Sequence, residues 1–96
     1  MPAVTRIGDN CSGHGCFPPR MAVQGSGNVF VNGKATHRQG DEWDSHCCPN
    51  NGCHNSTLSS GSSTVFVNGH QIARIGDPVA CGSISAAGSG NVFAGG

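Results

Sequence analysis

Ninety-six residues are enough for one domain, but a chain of this size buries only roughly 60–65% of the surface that its unfolded form exposes, so a thin core and an additional staple are expected. Sixteen glycines, a single Leu and no Tyr disfavour long helices, while the Val, Ile and Phe content suits short strands joined by tight turns. Five basic residues balance five acidic ones without any basic run, which excludes the charge footprint that nucleic acid or an anionic lipid surface requires.

The chain opens MPAVTRIGDN, with no apolar stretch suited to a secretory signal, and no segment approaches membrane-spanning length. Synthesis in the cytosol as a soluble protein, without a signal peptide, is the expectation. Disulfides belong to oxidising compartments, so metal binding is the better reading of the six Cys and five His.

Taken in chain order, Arg6-Ile7-Gly8-Asp9 comes first, and the same R-x-G-D pattern returns at Arg38 to Asp41 and at Arg74 to Asp77. Each copy is followed by a second motif: GSGNVF at Gly25 to Phe30, GSSTVF at Gly61 to Phe66, and GSGNVF at Gly88 to Phe93. The first two continue into identical VFVNG pentapeptides, Val29 to Gly33 and Val65 to Gly69, whereas the third degrades to VFAGG. Alternation puts the two valines of each pentapeptide on one face and the Phe on the other, and Asn-Gly supplies the positive φ angles of a type I′ hairpin turn. Lys34 to Arg38 and His70 to Ile75 are the expected return strands. No helix is demanded, although Ala35-Thr36-His37 does not exclude one. The expected fold is mainly β: short strands and hairpins in three related units around a pseudo-threefold axis, the hairpins forming the wall of one compact body, over residues 1–96 as a single domain.

Counting onward from each Gly-Asp locates the metal-ligand candidates. His14 and His46 occupy the same offset from Asp9 and Asp41, and Cys81 lies one place nearer to Asp77. Threefold rotation would bring these three toward the axis, and a closed structural zinc site needs one more N or S donor. His54 is the choice for it, because the Pro49-Asn50-Asn51-Gly52 turn can fold it back beside His46. Cys53 competes locally, but neighbours in an extended segment point to opposite sides. A four-Cys site is the alternative metal reading, since Cys11 and Cys16, and likewise Cys48 and Cys53, have zinc-finger-arm spacing. The six Cys also allow 15 disulfide pairings, and oxidation of the other five is compatible with zinc on Cys81. His37 and His70, beside hairpin turns, read as hydrogen-bonded or solvated.

The R-x-G-D copies, the GSxxVFVNG runs and the basic residue before Gly-Asp resemble the PAAR-repeat family over Ala3 to Phe93. The resemblance implies a small monomeric cone of β-hairpins, pinned by a metal near its tip and without an extension domain, that caps a trimeric β-helical spike, VgrG in type VI secretion or the central spike of a contractile phage tail. It implies a role in sharpening that spike for membrane piercing, with effector proteins as cargo, export with the spike, and transient contact with the target membrane. It also implies a three-His, one-Cys zinc set, the composition already reached from spacing; iron is the other metal open at this point. The Pro-Ala-Ala-Arg signature itself is absent, its slots reading Ala35-Thr36-His37-Arg38 and Gln71-Ile72-Ala73-Arg74, which marks His37 as structural. Val29, Phe30, Val65, Phe66, Val92 and Phe93 are candidates for the base that meets the spike, or for core.

Two other classes compete. Asp9, Asp41 and Asp77 near His, or His14 with Cys16, sketch acid–base or nucleophilic pairs, but each Asp sits in a repeated turn and four protein ligands leave zinc no open position. A free-standing zinc-binding interaction domain is the other alternative; the neutral charge and the lone Trp43 argue against nucleic acid as its partner.

Overall fold

The computed structural model describes residues 1–49 and 51–95. Asn50, in the expected turn before Gly52, and Gly96, the expected end of the domain, lie outside the described residues. Among the described residues six strands form three antiparallel pairs: β1 (Phe30–Val31) with β2 (Lys34–Ala35), β3 (Glu42–Cys48) with β4 (Gly52–Thr57), and β5 (Phe66–Val67) with β6 (His70–Gln71). No helix occurs among the described residues, so Ala35-Thr36-His37 runs on from β2 as extended chain.

The two Asn-Gly turns have the geometry their sequence demands. Asn32 and Gly33 adopt φ of 55° and 76°, and Asn68 and Gly69 adopt 54° and 81°, the double positive φ of a type I′ turn. The regular return strands are shorter than expected, two residues each, because the chain then leaves its hairpin to pair with the next repeat. Bridges join Arg6 to Thr36, Arg38 to Ile72 and Val4 to Arg74, one for each junction between repeats.

That exchange closes a ring. The Thr5 N–H donates to the Ala73 carbonyl (2.9 Å), Ala73 to His37 (3.0 Å) and His37 to Thr5 (3.1 Å), so the residue preceding each R-x-G-D Arg is tied to its two counterparts. The strands approach so closely here that a Cβ on Gly25, Gly61 or Gly88 would lie within 2.7 Å of the carbonyl oxygen of Thr36, Ile72 or Val4. Glycine at these three equivalent places is therefore a packing requirement.

Each R-x-G-D turn is locked by a forked ion pair. In the first, the Arg6 backbone N–H and Nε both donate to Asp9 Oδ2 at 2.8 Å, and Nη2 donates to Oδ1 at 3.0 Å. Arg38 with Asp41 and Arg74 with Asp77 repeat the arrangement. The hydrogen bond to its carboxylate holds each guanidinium pKa above its ordinary value against the opposing effect of burial. Such a pair contributes little relative to an apolar substitute, but stripping one partner from it costs about 3–5 kcal/mol.

The outer nitrogens of the same arginines read the neighbouring hairpin. Arg6 Nη1 donates to Asn32 Oδ1 (3.0 Å) and Arg38 Nη1 to Asn68 Oδ1 (3.1 Å). In the third repeat, where VFAGG lacks the Asn, Arg74 Nη1 finds the Gly95 carbonyl at 3.0 Å. The degraded repeat thus keeps the interaction by substituting a backbone acceptor for a side-chain one.

The core has two parts. Val4, Val31, Val67, Ile72 and Ala94 pack beneath the hairpins, with Val65 and Val92 at their margin. Cys11, Ala22, Trp43, Leu58, Ala73 and Val79 form the second cluster. Neither contains a Phe: Phe30, Phe66 and Phe93 point outward, 58%, 54% and 50% exposed. The body is elongated, 39 × 23 × 23 Å.

Candidate metal centre

Beyond each R-x-G-D corner the repeats diverge, and each sends out a different arm. The first is a tight turn in which His14 and Phe17 exchange backbone hydrogen bonds at 3.0 and 2.8 Å, with Gly15 at φ 56°. The second is the β3–β4 hairpin, and the third is a short turn at Val79 to Gly82, closed by the Gly82 N–H on the Val79 carbonyl (3.0 Å).

The hairpin depends on a β-bulge. Trp43 pairs with Ser56 and His46 with His54, so three steps along β3 match two along β4. Strict alternation would put Trp43 and His46 on opposite faces. The extra residue turns both inward: Trp43 is 3% exposed in the core and His46 is 3% exposed among the ligands.

His14, His46, His54 and Cys81 come together, with one potential ligand atom from each lying within 4.8 Å of all the others. His54 Nε2 is 2.7 Å from His46 Nε2 and 3.1 Å from His14 Nε2. Ligand nitrogens around a tetrahedral zinc, about 2.0–2.1 Å from the metal, are about 3.3 Å apart, so three Nε2 atoms this close suit a shared cation. His46 has its other nitrogen fixed: Nδ1 lies 2.8 Å from the Pro18 carbonyl and donates to it, which leaves the Nε2 lone pair facing the cluster. Burial, then the neighbouring His46 and His14 rings, pushes the His54 pKa below its ordinary value, favouring the neutral form that a metal needs. A group of three imidazoles and one thiol can hold a metal ion.

Phe17 is the residue that spacing missed. Its ring lies 4.8, 5.0 and 4.3 Å from the centroids of His14, His46 and His54, packing against all three imidazoles at once. Its position closing the His14 turn was the available clue.

The remaining histidines lie elsewhere. His70 is exposed beside its turn, whereas His37 is fully buried, its ring 4.7 Å from Trp43 and its Nδ1 2.7 Å from the Gln24 carbonyl. The alternative four-Cys site does not assemble, because Cys16 is bonded to Cys48 and Cys47 to Cys53, while Cys11 is a free thiol buried in the core. Four of the six cysteines are thus disulfides, the oxidation that the sequence left open beside zinc on Cys81. Cys81 keeps its thiol.

The PAAR motif matches residues 22–87. The NAD(P)(+) glycohydrolase toxin Tse6 of Pseudomonas aeruginosa strain PAO1 is 34% identical over 81 residues, covering 79% of this chain and 19% of the toxin. The (p)ppApp synthetase toxin Tas1 of strain UCBPP-PA14 is likewise 34% identical, covering 79% of this chain and 18% of that protein. The chain therefore spans less than a fifth of the curated relatives it matches. With three repeats closed around one ring and a PAAR motif across most of its length, the chain belongs to the PAAR-motif family.

Proposed function

We propose that this domain caps a trimeric β-helical spike of the VgrG or phage central-spike type, and that a zinc ion on His14, His46, His54 and Cys81 fixes its point. The observation that carries this reading is the trio Phe30, Phe66 and Phe93, exposed at equivalent positions of three repeats that close a ring. Large apolar side chains left in water at symmetry-related places mark an interface, and a three-chain partner offers three like surfaces to meet them.

Each R-x-G-D corner is followed by a ligand-bearing arm and then by a GSxxVF strand ending in Phe, and in this reading the arms build the point and the Phe-bearing hairpins the base. A narrow point has no volume for an apolar core, and a metal held by four protein ligands supplies the cross-link there. Saturated in this way, the ion has no open position for catalysis, which makes the domain's role structural. Membrane piercing during type VI secretion or tail contraction is the corresponding action. The toxin names of the relatives support effector proteins as cargo of such a tip.

The test is co-purification with the trimeric spike protein of the same bacterium. Phe30→Ser, Phe66→Ser and Phe93→Ser combined should abolish the complex while leaving bound zinc unchanged, and His46→Ala should remove the zinc. If the wild-type domain forms no complex with the spike, the free-standing zinc-binding module is the better reading.

A further inference from the structure

The two disulfides sit where the ligands do. Cys47 and Cys53 face each other across β3 and β4, in the pair adjoining His46 and His54, with Cα atoms 4.0 Å apart. Cys16 follows His14 by two positions and is bonded to Cys48, the last residue of β3, across a sequence separation of 32. Two of the four candidate ligands, His46 and His54, are thus adjacent in sequence to a bonded cysteine, His14 lies two positions from one, and the fourth, Cys81, keeps its thiol while the four clamp cysteines pair with one another.

We propose that Cys16–Cys48 and Cys47–Cys53 are positioning residues for the metal centre: oxidation of these four thiols sets the geometry, and hence the affinity, of the three-His, one-Cys site. This rests on the reading of that site as a metal centre. The reason lies in strand register. Side chains alternate across a strand, so a slip of one residue between β3 and β4 would carry His54 to the face opposite His46. The turn between them includes Gly52 at φ 78°, and the bulge between Trp43 and His46 already interrupts the ladder on the other side. The Cys47–Cys53 bond pins the register between these two irregularities. It does so from the outer face, where both residues are exposed. The Cys16–Cys48 bond then fastens the His14 turn to the end of β3.

Both bonds can form by thiol–disulfide exchange with a small-molecule disulfide such as glutathione disulfide. For each, a protein thiolate attacks and a mixed disulfide forms, releasing one glutathione thiol. The second protein thiolate then displaces the other glutathione. One Sγ–Sγ bond is made and one glutathione S–S bond is broken, two protein thiols are oxidised, and their protons end on two glutathione thiols.

The experiment compares zinc affinity by chelator competition, at a temperature where all forms are folded, for the glutathione-disulfide-oxidised wild type, Cys47→Ser/Cys53→Ser and Cys16→Ser/Cys48→Ser. Serine variants are used because reduced thiols would themselves bind zinc. Each pair's loss should weaken binding roughly 10- to 100-fold, the range seen when residues that orient ligands are removed. Cobalt substitution adds a signature that folding alone does not move: the tetrahedral absorption of the wild type should weaken or shift in the variants. Because Cys47 and Cys53 are exposed, that variant remains decisive even if the other does not fold. Zinc affinity within twofold of wild type, with an unchanged cobalt spectrum, overturns the positioning role alone. Absence of zinc binding by the oxidised wild type overturns the metal reading with it.

Discussion

The two ends of each repeat have followed different rules. From the GSxxVF strand to the R-x-G-D corner the three copies are closely alike, and three stabilising contacts appear in all of them: a ring hydrogen bond, a forked ion pair and a glycine against a carbonyl. Beyond the corner no two arms match in length or turn, although the first two place a His at the same offset from their Asp. The comparison teaches where a repeat protein can vary. The half that closes the ring is held by backbone geometry, which tolerates no insertion, whereas the half that converges needs only to deliver one side chain to a common point.

Breaking the symmetric half should have the largest effect on folding. Asp41→Ala would leave the Arg38 guanidinium, 16% exposed at its side chain, with Asn68 Oδ1 and the Gly25 carbonyl but no counter-charge. Denaturant unfolding of the metal-free protein should show a loss of about 3–5 kcal/mol. A loss below about 1 kcal/mol, the size of a surface pair, would mean that the ring holds without its ion pairs.

The converse experiment targets the divergent half. Phe17→Ala removes the ring packed on His14, His46 and His54 but touches nothing in the central ring of Thr5, His37 and Ala73. Zinc affinity should fall about tenfold as the imidazoles lose their common wall, while unfolding of the metal-free protein changes by less than about 1 kcal/mol. Equal damage to both quantities would show that the two halves are one cooperative unit, and the contrast drawn between them would fail.

The same division separates what was legible in the sequence from what was not. Asn32-Gly33 and Asn68-Gly69 specify their turns because few other dipeptides accept two positive φ angles, and the repeat spacing was enough to bring His14, His46 and Cys81 onto one list. His54 required only that its hairpin fold back. The bulge after Trp43 was hidden, since one extra residue in a seven-residue strand leaves no mark in composition, yet without it His46 would face away. The disulfides were hidden for another reason: six cysteines carry no pairing information until the register is known, and synthesis in a reducing compartment argued for metal instead. That Phe30 and Phe66 lie opposite their valines was readable as alternation, but whether that face met core or solvent was not, because two-residue strands have no second face pattern to compare.

The smallest predicted effect joins the halves, because His37 lies on the ring and packs on Trp43 at the root of the β3 arm. Burial drives its pKa below the ordinary histidine value, partly opposed by the Gln24 carbonyl that accepts from Nδ1; Asp41 and Asp9 oppose it as well, and Arg38 adds to the lowering. The folded protein therefore holds His37 neutral where the unfolded chain would protonate it. Its stabilising contribution is complete above the unfolded value of about 6.5 and is lost as pH falls from there through the lowered folded pKa, with a slope of at most about 1.4 kcal/mol per pH unit. Metal-free wild type should lose stability on acidification from pH 7 more steeply than His37→Asn, whose side-chain amide can still donate to Gln24. The ligand histidines are common to both proteins, so the difference in slope isolates His37. Identical slopes would mean that the ring admits a proton, and with it enough water to solvate a charge at the point where the three repeats meet.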